Sequence, residues 1–133
     1  MVDRLVLPAD LTQLGRVRAF VRERASTAGF VAPALGEIEL AVTEAVSNVM
    51  RHAYGGDASQ EVTLEVTVDN RELVIELVDQ GSSPEGLPAT MPDLDDPGPG
   101  GYGLYLIRAV MDEVRWSRQP RGNVLQLRKR RTT

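Results

Sequence analysis

Apolar residues recur along this chain with two different periods, and the switches between them mark its elements. "RLVLP", residues 4–8, has the make-up of a short strand. Asp10 follows where a helix N-cap belongs, with Gln13 three residues on, in the spacing of a capping box. Leu14, Val17, Val21, Ala25 and Ala28 then recur at helical intervals, and Gly29 ends that helix. Pro33 suits the first turn of a second helix. The pattern carries that helix to about Tyr54, where "GGD", 55–57, breaks it. From Glu61 the period becomes two. Val62, Leu64, Val66 and Val68 alternate with Thr and Glu over 61–68, and Leu73, Ile75 and Leu77 share one face over 72–79. A turn at "DNR", 69–71, makes the pair an antiparallel hairpin.

Between Gln80 and Gly101 the periodicity stops. Pro84, Pro88, Pro92, Pro97 and Pro99 are interleaved there with Gly81, Gly86, Gly98 and Gly100. Structureless loops longer than about 15 residues are uncommon in compact domains and usually functional or disordered. A helical pattern returns in "YGLYLIRAVMD", 102–112. "EVRWS" and "NVLQLRK" then read as strands joined at "QPRG", 119–122. The order strand, helix, helix, hairpin, loop, helix, hairpin predicts an α+β two-layer sandwich, with a mixed, mostly antiparallel sheet and helices on one face. No repeat and no second domain is visible, so residues 1–133 read as a single domain.

Composition narrows the function classes. With 133 residues, 42% hydrophobic and 26% charged, the chain has an ordinary globular balance. No apolar run approaches the roughly 18 residues of a membrane span, and "MVDRLVLPAD" carries no signal-peptide pattern, so a cytoplasmic protein without membrane contact is expected. The absence of cysteine removes disulfides, thiolate chemistry and cysteine-based zinc sites. A net charge of −4 argues against broad nucleic-acid binding. The basic ending "RKRRTT" reads as a solvated strand end and frayed tail. His52, the single histidine, lacks a second histidine for zinc and reads as a local hydrogen-bonding or packing group. Trp116 reads as a sheet residue packing on a helix.

Three stretches carry chemistry. In "AVTEAVSNVMRHAY", 41–54, Glu44 and Asn48 lie four residues apart on one helix face, among Leu40, Ala41, Val42, Ala45, Val46, Val49 and Met50. A buried carboxylate needs a partner or a task; a narrow solvated stripe is the equal alternative from the helix alone. In "LVDQGSS", 77–83, Asp79 ends an apolar strand, and Gly81 permits close backbone approach by a ligand or forms a plain strand-end turn. In "GPGGYGLYLI", 98–107, glycines run into a helix, whose first N–H groups favour phosphate. No strand precedes those glycines and no GK[ST] follows, which excludes the dinucleotide fingerprint and the P-loop.

E-x-x-x-N on a helix, D-x-G after a strand and G-x-G-L opening a helix, in this order, resemble the GHKL ATP-binding fold over nearly the whole chain. Within that group "EAVSNVMRHAY", "DQGSSPEG" and "GGYGLYLIRAVMDEV" look most like the RsbW-type anti-sigma-factor serine kinases. The resemblance implies a protein serine/threonine kinase that uses ATP and Mg²⁺. Its implied partners are an anti-anti-sigma protein, which it phosphorylates, and a sigma factor, which it sequesters. It further implies a homodimer and no direct nucleic-acid contact. By the same resemblance Asn48 ligates Mg²⁺, and Glu44 is the general base. Asp79 accepts from the adenine amino group, and Gly81 lets the backbone pass the base. Gly101, Tyr102, Gly103 and Leu104 stand at the phosphate end of an ATP lid over about 82–101. Ser83 stands where many GHKL proteins have a second glycine, as is common in the RsbW-like branch. A non-catalytic nucleotide-gated binding module, regulating a phosphatase or another output, is the alternative.

Overall fold

The computed structural model describes residues 2–53, 59–69, 72–81 and 101–131, and of 52, 53 and 101–104 it describes the backbone alone. Strand β1 (Val2–Pro8) leads into a single 3-10 turn, Leu11–Gln13, and helix α1 (Leu14–Thr27). Helix α2 (Ala34–Asn48) continues through a π-helical turn, Val49–Ala53. Strands β2 (Glu61–Val68) and β3 (Glu72–Asp79) form the first hairpin. Helix α3 (Gly101–Val110) then precedes β4 (Glu113–Gln119) and β5 (Gly122–Arg130). The strand order is β1-β2-β3-β5-β4. Every one of these pairings is antiparallel, narrower than the mixed pattern expected. The α+β two-layer fold is otherwise as the periodicity predicted.

Period two puts one sheet face under the helices. Leu7, Val62, Leu64, Val66, Leu73, Ile75, Leu77 and Leu127 belong to one buried cluster with Val17, Val21, Ile38, Val42 and Ile107 of the helices. Fully burying one such side chain contributes about 1.5–3 kcal/mol. Register carries that face across the sheet: Leu7 pairs with Val62, Val62 with Asp79, and Asp79 with Asn123. Asp79 therefore points to the helix layer, in the row that runs from Leu7 through Val62 to Asn123. Trp116, paired with Leu125, lies half-buried on the same face.

The opposite face carries charge. Glu65, only 8% exposed, takes Arg4 at 2.7 Å and Arg121 of the β4–β5 turn, and Arg121 also reaches Glu76 at 2.9 Å. Arg4, by hydrogen bonding first of all, holds the Glu65 carboxyl below the usual carboxylate range, against the opposing effect of burial.

Four local expectations are corrected. Asp10 does cap, accepting from the Thr12 N–H at 3.0 Å, but Gln13 accepts from Arg16, so no reciprocal box forms. The capped turn is 3-10, and its tighter winding brings Thr12 within reach first. Pro33 immediately precedes α2 instead of lying in its first turn; the helical segment itself continues through the π-helical turn to Ala53, close to the expected end at Tyr54, which lies outside the described residues. Leu40 is 53% exposed and does not help enclose Glu44. The basic ending is tied down: Lys129 Nζ donates to the Val110 carbonyl that ends α3, and Arg131 donates to the Ala28 carbonyl that ends α1. Cations at helix C-termini satisfy orphan carbonyls and complement the helix dipole. The last two residues lie outside the described set. No described helix is long and apolar enough to cross a membrane.

Candidate nucleotide site

Helix α2 sets out the first pair of groups. Ala41, Val42, Ala45 and Val46 are fully buried, which fixes the helix rotation and turns Glu44 and Asn48 to the half-buried margin. The Glu44 side chain is 31% exposed, so the carboxylate is neither sealed in the core nor on a freely solvated stripe. Arg51 Nη2 stands 3.8 Å from Glu44 Oε1. This cation was not singled out from sequence, although it lies in the same quoted stretch; the π-helical turn that carries it is not legible in apolar spacing. Ser47, beside Asn48, is buried.

Strand β3 sets out the second group. Asp79 is 6% exposed. Its Oδ1 accepts from the Gly81 N–H at 2.8 Å and from Asn123 Nδ2 at 3.0 Å. The first bond turns the chain sharply at the strand exit and leaves Gly81 buried. Asn123 Nδ2 also donates to the Gly81 carbonyl at 2.7 Å, so one amide ties both ends of the D-x-G motif. Burial raises the Asp79 carboxyl above its ordinary value, opposed by the hydrogen bonds from Asn123 and Gly81 and by the charge of Arg118.

The β4–β5 turn braces this exit. Gln80 donates to the carbonyl of Arg121, and Gly122 adopts φ +128 directly beneath the Asp79 carbonyl. Asn123 was read from sequence only as the start of a strand. Its place opposite Asp79 depends on β5 lying next to β3, which chain order does not announce.

Helix α3 begins at Gly101, so the G-x-G-L stretch does open a helix. The side chains of Tyr102 and Leu104 lie outside the described residues, as do residues 82–100 of the expected lid and the side chain of His52. Among the described residues no group of three or more His, Asp or Glu side chains forms a metal cluster. The side-chain oxygen of Asn48 is a neutral hard donor, of the kind magnesium accepts.

A helix with E-x-x-x-N facing the margin, a buried strand-end aspartate and a glycine-opened helix are thus set on one antiparallel sheet. The chain belongs to the histidine kinase-like ATPase domain family, which matches residues 7–129. Within it the chain is similar to the serine-protein kinases RsbW. It is 34% identical to that of Bacillus licheniformis over 116 residues, 81% of this chain and 72% of the relative. With RsbW of Bacillus subtilis (strain 168) it shares 32% over 117 residues, 82% and 73% of the two chains. Among solved structures, the RsbU and RsbW domains of Rv1364c from Mycobacterium tuberculosis superpose with a TM-score of 0.70 at 20% identity, over 98% of this chain and 32% of that one. The histidine kinase domain of the Erythrobacter litoralis EL346 blue-light activated histidine kinase gives 0.56 at 20% identity, over 92% of this chain and 60% of that one. These two structures bear on the fold alone; this chain spans about a third of the solved Mycobacterium chain.

Proposed function

We propose that this chain is an ATP-dependent protein serine/threonine kinase of the RsbW kind, which phosphorylates an anti-anti-sigma protein and, when that antagonist is modified, holds a sigma factor. The observation that carries the nucleotide part is the buried Asp79. Both of its described hydrogen bonds fall on Oδ1, which leaves Oδ2 as the acceptor for an exocyclic amine such as that of adenine. Family membership supports ATP as the nucleotide, and the RsbW relatives, named serine-protein kinases, support transfer to a protein hydroxyl.

In this reading Asp79 and the turn at Gly81 fix the base, and the first N–H groups of α3 around Gly101, Tyr102, Gly103 and Leu104 receive the phosphates. Asn48 is the oxygen that would hold Mg²⁺, which when bound neutralises charge on the phosphate oxygens. Glu44, half-exposed one turn before Asn48, is reachable by the serine or threonine of a docked protein and takes the proton from its hydroxyl. The hydroxyl oxygen bonds to the γ-phosphorus of ATP as the bond to the β,γ-bridging oxygen breaks, giving phosphoprotein and ADP. The protein works as a cytoplasmic homodimer in the same reading.

The test is transfer of labelled γ-phosphate to candidate antagonist proteins. Stoichiometric labelling of a serine or threonine is the expected result. Nucleotide binding with no transfer to any of them would overturn the kinase reading.

A further inference from the structure

The inner face of β5 changes character towards its end. Leu125 and Leu127 point to the helix layer, and period two brings Lys129 to the same face, where it pairs with the fully buried Leu73. A half-buried lysine beside such side chains needs a partner. Its Nζ finds the Val110 carbonyl at 2.6 Å, one of the acceptors that the last turn of α3 leaves unpaired within the helix. Two further bonds close the same end. The Asp112 N–H donates to the Arg128 carbonyl at 2.9 Å, and the Arg130 N–H donates to Asp112 Oδ2 at 2.6 Å. Apolar packing is concentrated there too: Ile107 and Val110 are buried, as is Met111 directly after them, whereas Tyr105, nearer the glycines, is 63% exposed. Among the described side chains, α3 is thus held from its C-terminal end.

We propose that Lys129 is a positioning residue of the phosphate site: from the C-terminal end of α3 it sets the helix axis, and so aims the N–H groups at the other end. This inference rests on the ATP reading above and adds what holds the phosphate-binding helix in place. The ten residues of α3 span about 15 Å at roughly 1.5 Å each, so a tilt of about 4° at Val110 carries Gly101 about 1 Å. Hydrogen bonds from N–H groups to a phosphate weaken over such a displacement. Two of the first three residues of the helix, Gly101 and Gly103, bring no side chain that could anchor that end. The anchor must then act from the far end. Arg131, two residues beyond Lys129, does for α1 what Lys129 does for α3, its Nη1 donating to the Ala28 carbonyl at 3.1 Å. It caps a helix that the ATP reading does not place at the phosphates, and so supplies an internal control.

The experiment is calorimetric titration of the full chain with Mg-ATP, and with adenosine in competition against it, at a temperature where circular dichroism shows each variant folded. Lys129→Met removes the amine and keeps the apolar stem. It is expected to weaken Mg-ATP about tenfold, the value of one hydrogen bond to a phosphate, while adenosine, which has no phosphate, moves less than about threefold. Lys129→Arg keeps a cationic donor and should stay within about threefold of wild type for both ligands. Arg131→Met should lower the melting temperature, yet leave both affinities within about threefold of wild type. Should Lys129→Met not fold, Lys129→Gln, which keeps a neutral donor on a shorter stem, takes its place, with the same split between the two ligands expected. An equal loss for ATP and adenosine, the same loss in Arg131→Met, or no loss at all would make Lys129 a plain helix cap and overturn the proposal. A wild type that binds neither ATP nor adenosine would instead remove the nucleotide reading beneath it.

Discussion

Gly122 lies so close beneath Asp79 that a Cβ built on it would stand 2.5 Å from the Asp79 carbonyl oxygen and 2.5 Å from Gln80 Nε2. Its φ of +128 is itself a conformation that side-chain-bearing residues rarely adopt. Gly122→Ala is therefore expected to cost about 2–3 kcal/mol in urea unfolding at an unchanged slope. It should weaken nucleotide binding as well, because the displaced backbone carries Asp79. Gly36, in the first turn of α2, is the control: an added Cβ there meets nothing within 4 Å. Gly36→Ala should add about 0.5–1 kcal/mol by removing backbone freedom from the unfolded chain. Equal effects at the two positions would show that the β4–β5 turn does not brace the strand exit.

Asp79 predicts a conflict between stability and function. Burial raises its folded pKa above the ordinary 3.8, so between those two values the folded state binds more protons than the unfolded one. The stability associated with the acid form is complete below about 3.8 and is lost as pH rises through the folded value. At neutral pH the buried charge is then a standing cost. Asp79→Asn should raise the melting temperature of the nucleotide-free protein at pH 7, and the gain should vanish as pH falls below 3.8. The same variant should lose the thermal shift that Mg-ATP gives to wild type. A lower melting temperature at pH 7 without nucleotide would contradict the argument.

Arg121 predicts a coupling across the helix-free face. It joins Glu76 and Glu65, and Glu65 keeps Arg4 as a second partner. Because the Arg121 side chain is 41% exposed, its loss alone should cost only about 1 kcal/mol, and less in high salt. Removing Arg4 and Arg121 together leaves a nearly buried carboxylate unpaired, so the double variant should cost at least about 1 kcal/mol more than the sum. Glu65 has a lowered folded pKa, so its contribution is present above its ordinary 4.5 and is lost as pH falls through the folded value. The excess cost should fade in that acid range. Strict additivity in a denaturation cycle at neutral pH would show that Glu65 is not the shared partner.

Much of this was legible in the chain because period and punctuation are local. The switch from helical to alternating spacing at Glu61 placed β2 and β3, and the glycines before Leu104 placed the start of α3. Asp79 stood out as a carboxylate closing an apolar strand. What stayed hidden depends on contacts distant in sequence. Sequence order puts β4 after α3, yet β5 is the strand that lies beside β3, so Asn123 meets Asp79 only once the sheet is assembled. Arg131 meets the end of α1 for the same reason, which is why a basic tail looked free. Leu40 shows the converse: its apolarity suggested burial, but the rotation set by Ile38, Ala41 and Val42 leaves it outside.

Glu44 carries the catalytic part of the proposal, and its environment permits a clean separation from binding. It lies at the margin of α2 with Arg51 3.8 Å away, while Asp79 ends β3 and owes its hydrogen bonds to other residues. Glu44→Gln keeps the shape and the hydrogen-bonding capacity but removes the base. Loss of a positioned general base costs about 10²–10⁴-fold in rate, so phosphate transfer should fall at least 100-fold. ATP affinity should stay within about threefold, since uniform binding is not touched. Arg51→Ala serves as a companion: it frees the carboxylate from its neighbouring cation and should alter transfer far less than Glu44→Gln. A nucleotide-gated module without kinase activity predicts a different pattern, in which Glu44→Gln leaves control of the partner unchanged. Rapid-quench measurement of phosphoprotein formation, with ATP affinity determined on the same preparations, distinguishes the two.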